Sequence, residues 1–304
     1  MNVLVPGGTG FVGRHLTAEL AERGHDVTAL SREPDADSLH DDVETAIGDV
    51  TAYDSIEPHF EGMDAVVNLV ALSPLFKTPA AAHDRLTRQG TEHCIQAAEA
   101  HDVGRFVYMS GIHADPEAST AYLRAKGEAE AAVRESALSW VIYRPTIVFG
   151  EGCEIVDFVS FVTTPFVTPL PGGGRVRYQP IAVEDLAPML ADGVEDDDRD
   201  GEIYELGGPE VLSLADLTRL IYRARGRSIR ILPVPTSLAK VGLQVAEHIP
   251  FAPLGADQGE ALDTNLVVET NDVDAFGTDP AEMRTVAEFL GVDGAGERVE
   301  VTSA

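Results

Sequence analysis

Tyr122 and Lys126 stand four residues apart in AYLRAKGEAE, a stretch with helical patterning, so their side chains share one helix face one turn apart. An ammonium beside a phenol stabilises phenolate and lowers the phenol pKa, which suits the tyrosine to proton transfer near neutral pH. With seven tyrosines and with Lys77, Lys126 and Lys240 as the lysines, such a pair arises in only about 0.07 of shuffled chains. An ordinary surface pair is the alternative. Ser110 lies twelve residues before Tyr122, at the end of RFVYMS, where a strand-end hydroxyl can reach a substrate oxygen. Ser119 and Thr120 are alternative hydroxyl donors, and a simple cap or turn is the structural reading of Ser110.

A second chemistry-bearing pattern opens the chain. MNVLVPGGTGFVG joins a short apolar run to Gly7, Gly10 and Gly13, and the helical pattern RHLTAELAERG follows. Strand, tight turn and helix in that order form a dinucleotide-binding start: one glycine makes the turn, one lets backbone approach a pyrophosphate, one packs helix on strand. The pyrophosphate would rest on the free N–H groups and positive dipole end of the helix beginning at Phe11, Val12 and Gly13. The next strand ends Ala29-Leu30-Ser31-Arg32. A carboxylate there would bind the ribose 2′-hydroxyl of NAD, whereas serine and arginine favour NADP, with Arg32 forking onto the 2′-phosphate. NAD(H) stays open because Glu33 can approach the same pocket; Arg14 either assists or faces solvent.

These groups need a scaffold. Strand-like runs recur at 3–6, 26–30, 43–47, 65–71, 105–110 and 139–145, with helical patterns between most of them, including one from about Pro79 to Ala100. That alternation predicts an α/β fold: a Rossmann-like, doubly wound parallel sheet with right-handed crossovers. Arg23 and Gly24 end the first helix, Ser213 caps a helix that ends at Gly226, and 201–208 forms a further strand. The stretch TTPFVTPLPGGGRVRYQP (163–180) has the composition of loops that shape a substrate pocket. The expected organisation is an NAD(P)-binding core over 1–150, a small, mainly helical substrate-binding region over 151–292 interleaved with the end of the core, and a disordered tail over 293–304.

Composition narrows the partners. Acidic residues number 51 against 22 basic ones, a net charge of -29, which repels phosphate backbones and anionic membrane surfaces. A chain so acidic and so poor in lysine resembles proteins of salt-adapted archaea, and its self-repulsion needs screening. The melting temperature is therefore expected to climb from low to molar KCl; a flat profile on a salt series would contradict this. Cys94 and Cys153 make no disulfide framework, and no metal-ligand spacing is present. The acidic run EDDDRD (195–200) is read as a solvated loop. With neither a charged n-region and cleavage site at the N-terminus nor an apolar run of membrane-spanning length, no integral membrane segment and a cytoplasmic location are expected.

Several motifs in order then carry a resemblance. GGTGFVG, Gly48-Asp49-Val50, NLVA (68–71), Ser110, Tyr122-x-x-x-Lys126, RPTIVFG (144–150) and PIAVEDLA (180–187) resemble the short-chain dehydrogenase/reductase superfamily, of the extended and atypical, epimerase/dehydratase-like kind. The resemblance implies that Tyr122 is the acid/base, that Lys126 also binds the nicotinamide ribose, that Ser110 positions a substrate carbonyl, and that Asp49 contacts adenine. It places Val50, Leu69, Val70 and Ala71 along the cofactor. Pro6 departs from the threonine or serine common before the first glycine, and Ser110 sits in SGIHAD rather than a serine-rich strand end. PLPGGGRVRYQPIAVEDLA and DQGEALDTNLVV look like the branch that includes the Rossmann-fold accessory subunit of respiratory complex I. Three functions follow as expectations. The first is an NADP-dependent reductase, dehydrogenase or epimerase acting on a small molecule; the second a non-catalytic NADPH-holding subunit or assembly factor; the third a redox-sensing regulator, against which the intact Tyr/Lys pair argues. A homodimer and association with a respiratory complex are both open.

Overall fold

The computed structural model of the protein describes residues 1–164, 166–249, 252–293 and the backbone of 297–298. The expectation of a disordered tail over 293–304 therefore falls largely outside the described residues. In chain order the first elements are β1 (Asn2–Pro6), α1 (Phe11–Glu22), β2 (Asp26–Ser31), β3 (Val43–Ile47), α2 (Tyr53–Ile56) and β4 (Ala65–Asn68). Then come α3 (Ala80–His83), α4 (Gly90–Ala100), β5 (Arg105–Met109), α5 (Ala121–Glu135) and β6 (Ser139–Pro145). The remainder holds β7 (Val148–Phe149), α6 (Ile155–Val162), β8 (Val167–Pro171), β9 (Arg177–Tyr178), β10 (Ile181–Ala182), α7 (Val183–Glu195) and β11 (Ile203–Leu206). Last are β12 (Glu210–Ser213), α8 (Leu214–Ala224), β13 (Arg230–Val234), α9 (Thr236–Glu247), α10 (Ala256–Ala261) and α11 (Val286–Leu290).

The chain divides into two units, the first made of Met1–Leu72, Thr78–Pro145 and Val183–Tyr204. Its sheet runs in the order β11-β6-β5-β4-β1-β2-β3 and is parallel. Val3, Leu4 and Val5, and likewise Val66, Val67, Phe106 and Val107, are completely buried, as continuous apolar runs must be when helices cover both faces. Each such side chain contributes about 1.5–3 kcal/mol of transfer free energy. Leu4, Val66, Phe106 and Ile142 share one cluster with Cys94, Ile95 and Ala97 of α4 and Ala129 and Val133 of α5, while α1 packs on α7. The strand order reverses at β1, whose neighbours are β2 and β4, and such a switch point opens a crevice at the carboxyl ends of the strands.

Local chemistry revises several expected boundaries. The strand expected over 65–71 stops at Asn68, because the Asn68 Oδ1 accepts the Val70 N–H at 3.1 Å and its Nδ2 donates to Thr91 Oγ1 at 3.0 Å, an asparagine turn that pulls the backbone off the ladder. The helix expected from Pro79 to Ala100 is interrupted by a π-helical turn, Asp84–Gln89, between α3 and α4. The acidic run 195–200 is more than a solvated loop: Asp197 and Asp200 both hold the Arg105 guanidinium, which is almost fully buried. The first-helix stop and the Ser213 cap stand as expected, with Gly24 at φ +87° and Ser213 Oγ accepting the Asp216 N–H at 3.1 Å.

The second unit comprises Ser73–Lys77, Thr146–Ala182 and residues from Glu205 onward. Among its described residues it combines the helices α6 and α8–α11 with short strand pairs β7–β10, β9–β12 and β8–β13, joined by long irregular segments. The proline- and glycine-rich stretch 163–180, expected as loop, contains β8 and β9. β8 accommodates Pro169 and Pro171 because it pairs on one side, with β13. Among the described residues, no helix is long and apolar enough to cross a membrane.

Candidate functional site

The glycine turn is built by backbone bonds from three directions. Gly7 N donates to Leu30 O at 2.9 Å, Leu69 N to Pro6 O at 3.0 Å, and Gly48 N to Ser31 O at 3.0 Å. The ends of β1, β2, β3 and β4 thus lie side by side, and Gly7, Ser31, Asp49 and Leu69, distant in sequence, form one rim. Gly7 has φ +82°, and a Cβ added there would stand 3.3 Å from the backbone of Leu69 and Val70. A Cβ on Gly13 would collide with Gly7 O and Gly8. Gly10, the α1 N-cap, provides no side-chain cap, and the first turn carries no acidic residue. The N–H groups and positive end of the dipole at Phe11, Val12 and Gly13 are therefore available to an anion. This cradle fits a dinucleotide pyrophosphate. Pro6, which departs from the resemblance, gives up a donor but keeps its carbonyl as the acceptor that fixes Leu69.

Around this rim, Asp49 Oδ1 accepts from Thr51 N at 2.9 Å and Thr51 Oγ1 at 2.8 Å. Burial acts to raise the Asp49 pKa, but these bonds and the nearby charges of Arg32 and Arg85 outweigh it and hold the carboxyl below its usual range. Arg85 also donates to Thr51 Oγ1 at 3.2 Å. Arg32 and Glu33 are both exposed, Val50 and Leu69 are buried, and Val70 and Ala71 are half-buried. The Ser31 Oγ is buried and has no hydrogen-bond partner, a polar vacancy at the end of β2 that suits a ribose or phosphate oxygen.

The proton-transfer candidates meet at the end of β5. Lys126, buried on α5, donates from Nζ to Met109 O at 2.5 Å and lies 5.0 Å from the Tyr108 ring centroid. Ser110 follows directly; its Oγ is buried without a partner, while its N–H donates to Tyr143 O at 2.7 Å. The Tyr122 hydroxyl lies beside Gly111, 3.5 Å from where a Cβ would stand. Three groups spread over seventeen residues of sequence thus converge on Met109–Gly111, whereas the alternative donor Thr120 is spent capping α5 through Leu123 N.

The electrostatics depart from the simple Tyr/Lys picture. Burial pushes the Tyr122 phenol up to about 12 rather than down. Burial also pushes Lys126 down to about 7, against the opposing pull of Glu130. Glu130, one further turn along α5, is 1% exposed and takes Arg144 in a two-point pair, Nε at 2.9 Å and Nη2 at 2.6 Å. His83 of α3 meets the Tyr122 ring edge-on, with centroids 5.8 Å apart. Sequence reasoning missed Glu130, Arg144, His83 and Arg85. Glu130 had a legible signal, the same four-residue step that links Tyr122 to Lys126; the other three are brought in by strands and helices far along the chain.

Comparison with known proteins agrees with this cradle. Residues 7–158 match the family described as NAD(P)H-binding. Over 87% of its length the chain is 28% identical to the NADH dehydrogenase [ubiquinone] 1 alpha subcomplex subunit 9 of Arabidopsis thaliana mitochondria, covering 70% of that protein. It is also 28% identical, over 81% of its length, to a chloroplast divinyl chlorophyllide a 8-vinyl-reductase of Oryza sativa subsp. indica, covering 64% of it. A UDP-galactose 4-epimerase crystal structure superposes on 77% of the chain and 86% of its own, with TM-score 0.66 and 19% identity, a likeness of fold.

Proposed function

The chain belongs to the NAD(P)H-binding family of Rossmann proteins, and from that premise we propose that it is an NADP-dependent reductase or dehydrogenase of the short-chain type, with epimerase-like chemistry as the neighbouring case. The observation that carries the reading is the convergence of Tyr122, Lys126 and the unpartnered Ser110 hydroxyl on the last residues of β5. When bound, the nicotinamide supplies a hydride; the chain's own residues hold the substrate oxygen and deliver the proton. Ser110 Oγ, free of internal bonds, donates to a substrate carbonyl. Tyr122, protonated at neutral pH, gives its proton to that oxygen as charge develops on it. Lys126 orients the ribose, and Asp49 faces the adenine end. A phenol held near 12 favours the proton-donating, reductive direction.

NADP selectivity rests on Ser31 and Arg32. Titration of nucleotide-stripped protein in molar KCl is expected to give NADPH binding at least about tenfold tighter than NADH, a single charge-assisted fork being worth roughly 1.5–3 kcal/mol. Arg32→Ala should erase that preference while leaving NADH affinity in place. Equal affinities, or no binding of either nucleotide, would overturn the reading.

A second reading is favoured by the likeness to the Arabidopsis respiratory subunit: a non-catalytic protein that holds NADPH as a structural staple and gains stability by mass action. Stable co-purification with respiratory subunits, together with no turnover on any carbonyl, would distinguish it.

A further inference from the structure

The second unit holds a segment whose charge opposes that of the chain. From Leu217 to Ala246 there is no Asp or Glu, while Arg219, Arg223, Arg225, Arg227, Arg230 and Lys240 contribute six positive charges to a protein of net charge -29. Arg219 pairs with Asp216 at 2.8 Å, Arg223 donates to Asp293 O at 2.7 Å and Lys240 pairs with Asp263 at 2.8 Å. Arg225, Arg227 and Arg230 are exposed, and among the described residues their side chains make no ion pair. In a chain with more than two acids for every base, this segment presents, within six residues, three exposed arginines without an ion pair.

The same segment exposes hydrocarbon. α9 has no buried residue. Leu238, Val241 and Val245 fall on one stripe at 63%, 56% and 61% exposure, and Ile249 continues it past the helix end. Its other side rests on α10, where Leu243 lies against Gly259. β13, which leads through Pro235 into α9, exposes Leu232, and its Arg230 N–H donates to the carbonyl of Phe166, itself 76% exposed. Arg230 is also the ladder partner of Val167, another exposed apolar residue.

We propose that β13 and α9 form a docking surface for an anionic lipid bilayer, with Leu238, Val241, Val245 and Phe166 entering the acyl boundary and Arg225, Arg227 and Arg230 meeting headgroup phosphates. Charge complementarity and the apolar stripe both select this partner. A nucleic acid would match the arginines but leave the Leu and Val side chains in water. A second copy placed symmetrically on this face would oppose arginines to arginines. The net charge of -29 argued against anionic membranes as a whole-chain average; screening within about 8 Å at physiological ionic strength makes the three unmatched arginines, Arg225, Arg227 and Arg230, the charge that a surface contact feels here. This peripheral contact needs no spanning helix.

The test is co-sedimentation of the intact protein with phosphatidylglycerol/phosphatidylcholine vesicles and with pure phosphatidylcholine vesicles, in moderate and molar KCl. Binding is expected to the anionic vesicles, falling roughly a hundredfold in the triple variant Arg225→Gln/Arg227→Gln/Arg230→Gln, at about fivefold per arginine. It should also fall at least about tenfold in Leu238→Ser/Val245→Ser. All five positions are exposed, so unchanged melting temperatures verify folding, and the two variants are independent. Equal partition into both vesicle types, binding indifferent to both variants, or a protein dimer dissolved by Leu238→Ser/Val245→Ser without vesicle binding would each overturn the proposal.

Discussion

Tyr122→Phe is expected to lower turnover by about two to four orders of magnitude, the range associated with a lost general acid, while NADPH affinity stays within about twofold. The substitution removes one oxygen and keeps the ring, so the edge-on contact with His83 at 5.8 Å survives and α5 keeps its packing. The oxygen removed is the one beside Gly111, to which the proposed mechanism gives the proton transfer. Because burial holds the phenol near 12, the wild-type tyrosine remains protonated through the physiological range, and the reductive rate should not decline until alkaline pH. Steady-state kinetics with nucleotide titration on the same variant provides the check. Unchanged turnover would remove Tyr122 from the mechanism; loss of nucleotide affinity equal to the loss of rate would assign it to binding.

Glu130→Gln should produce the largest loss of stability among single changes around the site, about 3 kcal/mol, because it removes the charged partner of a two-point pair whose carboxylate is buried. For a chain of 304 residues that is a fall in melting temperature of roughly 5 °C. The variant also alters Lys126. In the native protein Lys126 sits near 7, below the ordinary value of 10.5, with burial lowering it and Glu130 supporting its charge. Between about pH 7 and 10.5 the unfolded chain binds this proton and the folded chain does not, so stability rises with pH across that window. Without Glu130 the folded lysine should lose its proton at lower pH, extending the rising limb below 7. Melting temperatures measured across pH on both proteins would show this shift; parallel profiles would mean that Glu130 braces α5 on β6 without acting on Lys126.

The parts of this protein that depend on neighbours in sequence are legible in the sequence alone. Gly7, Gly10 and Gly13 announced the turn and the uncapped start of α1; the apolar runs at 3–6, 26–30 and 105–110 announced parallel strands; the Tyr122-Lys126 step announced a shared helix face. Boundaries set by a side chain turning back on its own backbone were harder, as at Asn68, where an asparagine bond to Val70 and Thr91 ended a strand that the hydrophobic run alone would have continued.

By itself, the sequence determined the fold class, the glycine turn that opens it and the placing of Tyr122 and Lys126 one turn apart on a helix, because helical and strand periodicity and short-range turn chemistry are encoded within a few residues. The tertiary structure alone decided the state of that pair. Desolvation raises Tyr122 and lowers Lys126, Arg144 arrives from β6 to hold Glu130, and Ser110 is left with an unanswered hydroxyl at the end of β5. Those outcomes depend on which distant segments exclude water from the same few ångströms, and local periodicity carries no record of that.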